Sequence, residues 1–155
     1  MRTSAPIGQI PRLREWYTRD YLSAISAISP ESKLCFHAQD HSMDSADVVA
    51  FLAHLLREVP GRMIIIWDGA PMHRSHRIKT FLSNGAAQRM HLECLPAYAP
   101  ELKPGEGLWE QLTGVELRHV CCFNLPHLRH ELREAVNRVR RKPRVLQGFF
   151  QGAGL

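Results

Sequence analysis

Long apolar runs are missing from this chain of 155 residues, and Met1-Arg2-Thr3-Ser4-Ala5-Pro6 carries a charge with no apolar stretch behind it. Neither a membrane span nor a secretory signal is expected, and the chain reads as cytoplasmic. Cysteine is scarce. Cys35, Cys94, Cys121 and Cys122 form no C-x-x-C pair, which removes zinc-knuckle and dithiol-redox spacings and leaves reduced, partly buried thiols. Internal repeats and long linkers are absent too, so the length reads as a single domain with a sizeable core. Hydrophobic residues at 45% and charged residues at 23% are globular values, which excludes disorder as the default.

What the chain does have is uneven positive charge. The formal net charge is +5 and the pI about 9.3. Arg118 to Arg144 holds eight Arg or Lys against two Glu, so this segment alone carries +6. A polyanion is the natural partner of such a face, with Arg138, Arg140, Arg141 and Lys142 as its densest run; a solvated helix surface is the bland alternative.

The pattern alternates strands and helices. Trp16 to Ile28 and Leu34 to Gln39, separated by Ser29-Pro30-Glu31-Ser32, predict an antiparallel hairpin. After the helix-start residues Ser42 to Asp47, Val48, Phe51, Leu52, Leu55, Leu56 and Val59 recur at helical spacing until Pro60-Gly61. Met63-Ile64-Ile65-Ile66-Trp67 is too short for an ordinary helix and predicts a strand buried on both faces. A short helix near Arg74 to Leu82, ended by Asn84-Gly85, and a strand over Met90 to Leu95 come next. Three prolines between Pro96 and Pro104 stiffen a loop, before Leu108, Trp109, Leu112 and Val115 form a helix with Trp109 as a core anchor. Leu125, Leu128, Leu132, Ala135, Val136 and Val139 share one face of a further helix, and a basic tail follows.

Two acids sit where chemistry is usually placed. Asp68 follows the isoleucine strand at its carboxyl end, where open α/β sheets hold ligands; an Asp before Gly69 is also ordinary turn chemistry. Glu106 opens the helix after the proline-rich loop, a position the helix dipole favours for a carboxylate in any protein. His73 and His76 with Asp68 would make an alternative zinc set, although a separation of three at a helix start is common by chance.

The stretches Asp68-Gly69-Ala70-Pro71-Met72-His73 and Leu95-Pro96-Ala97-Tyr98-Ala99-Pro100-Glu101-Leu102-Lys103-Pro104-Gly105-Glu106-Gly107-Leu108-Trp109 closely resemble the second and third acidic motifs of mariner-type bacterial insertion-sequence transposases, with their DDE endonuclease domain. In that family the motifs read D-x-x-P-x-H and L-P-x-Y-x-P-E-L-N-P-x-E-x-x-W. The resemblance extends through the hairpin and the arginine-rich helix. It implies an α/β fold of ribonuclease H type, a mixed sheet flanked by helices, and metal-dependent DNA cleavage and strand transfer in transposition. By the same resemblance Asp68 and Glu106 are the catalytic, metal-holding acids, with Mg²⁺ or Mn²⁺ as cofactor, and His73 and Lys103 lie in the cleft near DNA. Hard divalent cations take oxygen ligands, which suits carboxylates on rigid elements. The implied partners are double-stranded DNA at transposon ends and target, and a second copy of the chain; the implied location is the nucleoid of a bacterial cell.

The resemblance begins abruptly at Arg2-Thr3-Ser4-Ala5-Pro6, which looks like the connection after the family's opening strand. The expectation is a truncated catalytic domain over 1–155, without that strand, its first Asp, or the N-terminal helix-turn-helix region. No sequence argument aims Asp20, Asp40, Asp44 or Asp47 at the Asp68 pocket as a replacement. Lys103 also stands where the family usually has Asn, which exchanges a group that donates and accepts for a charged donor. Weak metal binding and little catalysis by the isolated chain follow. The alternative is a non-catalytic, basic DNA-binding remnant using the arginine face.

Overall fold

The computed structural model describes residues 21–96 and 103–154. β1 (Ser23–Ile28) and β2 (Leu34–Gln39) form the expected antiparallel hairpin, with Ser23 opposite Gln39 and Ile28 opposite Leu34. The earlier part of the predicted first strand, from Trp16, lies outside the described residues, as do the segment expected to follow an opening strand and most of the proline-rich loop.

α1 (Ser45–Glu58) starts at a reciprocal cap. The Asp44 carboxylate accepts from the Asp47 amide at 3.0 Å, and the Asp47 carboxylate accepts from the Asp44 amide at 2.9 Å. This satisfies helix donors that would otherwise lack partners. Its far end is held by a residue that sequence patterning did not single out. Arg89 donates to the carbonyls of Gly61, Leu56 and Val59 at 2.9, 3.1 and 2.6 Å, clasping the helix end to the chain entering the next strand.

β3 (Met63–Trp67) runs parallel to β4 (Met90–Cys94), and the crossover between them carries a 3₁₀ turn (Pro71–Arg74) and α2 (His76–Ser83). The predicted single helix near Arg74 is thus two pieces, broken at Ser75, whose backbone is extended. Gly85 at φ 108° takes the left-handed turn beyond the helix end. Among the described residues the strands make two separate two-stranded sheets, one antiparallel and one parallel, where a single mixed sheet was expected.

The two sheets differ in cover. On the hairpin, Ile25, Ala27 and Cys35 pack against a core of Val48, Phe51, Leu52 and Leu55 from α1, Ile78 from α2, and Met90 from β4. Its opposite face, Ile28, Leu34 and Phe36, packs against α3 (Pro104–Gln111), α4 (Leu125–Arg140) and α5 (Pro143–Gly152) through Leu108, Leu112, Val136, Val139 and Leu146. β3 packs Met63, Ile65 and Trp67 on the first core only. Ile64 is 70% exposed and Ile66 55%, so the prediction of a strand buried on both faces is corrected. An all-isoleucine run cannot distinguish one covered face from two. Its partner could, because Ile64 and Ile66 stand in register with His91 and Glu93, the polar row of β4. Leaving each isoleucine in water forgoes about 2 kcal/mol.

The C-terminal tail is a helix, α5, and this too differs from the expectation. Its signal lay in Gly107 of α3, where an added Cβ would stand 2.7 Å from the Phe149 ring; the missing side chain lets the two helices approach closely. Trp109 is the core anchor expected of it, its ring centroid 5.9 Å from that of Phe36. No described helix is long and apolar enough to cross a membrane.

Candidate active site

Asp68 is delivered by β3 to the end of the parallel pair and is about half exposed. Its Oδ1 accepts from the Ala70 amide at 3.1 Å, which is the turn chemistry expected of Asp before Gly. The same oxygen lies 3.1 Å from His73 Nδ1, and that nitrogen is also 2.9 Å from the Asp68 carbonyl oxygen. Both neighbours of Nδ1 are acceptors, so Nδ1 carries the proton, and in the neutral ring Nε2 is the acceptor. The imidazole is held flat against the Trp67 indole, with centroids 4.2 Å apart and planes within 1°. The 3₁₀ turn that Pro71 opens is what folds His73 back onto the strand end.

The second motif reaches the same place from α3. Lys103, 35 positions after Asp68, has its Nζ 3.9 Å from Asp68 Oδ2, a charge contact without a hydrogen bond. Pro104 occupies the first turn of α3, where its missing N–H costs nothing, and Glu106 follows in that turn, exposed. Asp68, His73 and Lys103 are therefore gathered, while Glu106 stands on the adjoining helix turn, its amide bonded to the Lys103 carbonyl at 3.0 Å but its carboxylate without a hydrogen bond or ion pair to them among the described residues.

The sequence profile of the DDE superfamily endonucleases matches residues 1–119, which takes in both acidic motifs, β1 to β4 and α3. The chain belongs to the DDE superfamily endonucleases. No curated protein matches it in sequence. Members of this family act on DNA and typically use divalent metal ions. In this DDE endonuclease chain, no three His, Cys, Asp or Glu side chains among the described residues converge to hold a metal ion, which also removes the zinc alternative with His76. His76 Nδ1 instead lies 3.2 Å from the Thr80 hydroxyl of its own helix. With one oxygen of Asp68 bonded to the Ala70 amide and lying against His73, and the other facing Lys103, the described donors do not make a cage for a divalent cation.

The basic run lies beyond the matched residues and is only partly free. Arg138 Nε donates to Glu116 Oε2 at 2.7 Å, and Lys142 Nζ to Glu116 Oε1 at 2.7 Å. Arg140 Nε donates to the Leu34 carbonyl at 3.1 Å, tying α4 to β2. Arg141 and Arg144 are exposed. Glu116, which sequence reading passed over, ends a π-helical turn (Leu112–Glu116) that prolongs α3. Burial pushes its carboxyl up, but hydrogen bonds from Lys142, Arg138 and Gln111 outweigh this and hold it down at about 2.

Proposed function

We propose that this DDE endonuclease chain is the catalytic domain of a mariner-type insertion-sequence transposase, with a ribonuclease H-like fold and with Asp68 and Glu106 as its acids. In this reading the substrate is double-stranded DNA, cut and joined at transposon ends and target, with His73 and Lys103 beside the backbone. The observation that supports it is the approach of Lys103 to Asp68, 3.9 Å between charged atoms, because it joins two motifs far apart in sequence at the end of one strand. Mg²⁺ or Mn²⁺ is the cofactor that these oxygen donors would take. With no third ligand group in reach among the described residues, binding is weak and cleavage by this chain alone is impaired.

Cleavage of a labelled duplex with Mn²⁺, comparing the chain with its Asp68→Ala and Glu106→Ala variants, tests this. The expected result is little or no nicking. Robust nicking lost in both variants would keep the acids and overturn the impairment; nicking that survives both would overturn the site. A second reading, a non-catalytic DNA-binding protein, is favoured by the exposure of Arg141 and Arg144. It predicts binding unchanged in both acid variants, with the salt slope reduced by about two in the double Arg141→Ala and Arg144→Ala variant.

A further inference from the structure

We infer that Lys103 is a tethered cation that competes with divalent metal for the Asp68 carboxylate, so that this lysine sets the metal affinity of the site. The inference rests on the reading of Asp68 as the metal-facing acid and adds to it a reason for weak binding within the chain itself.

Three observations carry it. Asp68 Oδ1 already accepts from the Ala70 amide and has His73 Nδ1 at 3.1 Å, so Oδ2 is the less engaged oxygen, open to an incoming cation. Lys103 Nζ is 3.9 Å from that Oδ2, and its side chain is only 28% exposed, low for a residue that usually keeps its ammonium in water. Lys103 is also the N-cap residue of α3 and makes no capping bond, whereas Asp44 and Asn124 both cap their helices through side-chain oxygens. An ammonium cannot accept from helix amides and is repelled by the positive end of the helix dipole. Its own helix therefore gives Lys103 no capping bond, and among the described residues Asp68 is the acid it meets.

A divalent ion on Oδ2 would sit within a few ångströms of the ammonium. At a partly exposed site that repulsion, with the loss of the existing ion pair, weakens metal binding roughly tenfold. Lys103 thus neutralises the acid that the family reading assigns to the metal.

Mn²⁺ titration followed by electron paramagnetic resonance, which reads the free ion without needing cleavage, tests the assignment. Lys103→Met and Lys103→Asn are expected to bind roughly tenfold more tightly than the parent. Lys103→Arg should stay at the parent level, and adding Asp68→Asn should erase both gains. Matched circular dichroism spectra establish that all variants are folded. Parent-like affinity in Lys103→Met overturns the inference; if Asp68→Asn still lowers Mn²⁺ binding in that background, the reading of Asp68 stands without it. A gain in Lys103→Asn alone overturns it in favour of helix capping. A gain that persists with Asp68→Asn overturns the inference and the reading of Asp68 together.

Discussion

Glu116 faces three nitrogen-bearing side chains and Asp68 two, and burial separates their fates. The Glu116 side chain is 5% exposed and bonded at 2.7 Å to both Arg138 and Lys142; that of Asp68 is 49% exposed, with neighbours at 3.1 and 3.9 Å. Little water is left to screen the first carboxylate, so its hydrogen bonds count almost fully. Water reaches the second, and each contact is worth correspondingly less. The first ties α3 to α4 and to the entry of α5, and the second is left available for an incoming group. Both lie within reach of one short helix: Lys103 begins it and Glu116 closes the π turn that ends it.

The largest expected effect follows from breaking the buried member. Glu116→Ala should cost about 2 to 3 kcal/mol in urea unfolding, through loss of charge-assisted hydrogen bonds, moderated because Arg138 and Lys142 can turn to solvent. Acid should act in the same way. The folded carboxyl sits at about 2, below its ordinary 4.5, so the unfolded chain takes up the proton first. Its stabilisation is complete above about pH 4.5 and is lost as pH falls towards about 2, up to roughly 3 kcal/mol, less the screening at its half-exposed partners. Thermal unfolding measured across that window should show the loss in the parent chain and little of it in Glu116→Gln. Removing one partner, by Arg138→Met or Lys142→Met, should cost about 1 kcal/mol each, since the other remains. Smallest of all, Asp68→Asn should change stability by less than about 1 kcal/mol, because Asn keeps the bond to the Ala70 amide at an exposed position. An Asp68→Asn cost as large as that of Glu116→Ala would show Asp68 to be a structural residue and remove the contrast.

Much of the local structure was legible because it rests on short-range chemistry. The hairpin came from alternation about Ser29-Pro30, and α1 from Asp44 and Asp47 ahead of an apolar stripe. The approach of the two motifs was legible through resemblance, and the contact of Lys103 with Asp68 gives the departure from Asn at that position a physical meaning. The unread parts depend on what lies opposite. Nothing local in Ile64 and Ile66 says that one face of β3 is open, and nothing in Pro143 to Gly152 says that the tail coils against Gly107. The basic face looked free in sequence because charge was counted along the chain, whereas Glu116 meets Arg138 and Lys142 across 22 and 26 positions. A carboxylate outside a counted window can neutralise part of it.

The parallel stack of His73 on Trp67 gives the site an optical handle. An imidazole stacked 4.2 Å from an indole can quench its fluorescence, so emission from Trp67 depends on whether the stack is in place. Any ligand that draws His73 away from the indole should therefore alter tryptophan brightness. Of the three tryptophans in the chain, Trp109 packs tilted against Phe36 on the far side of the hairpin, and substituting it would sharpen the signal. Occupancy beside Asp68 could then be followed by light alone, without label or substrate.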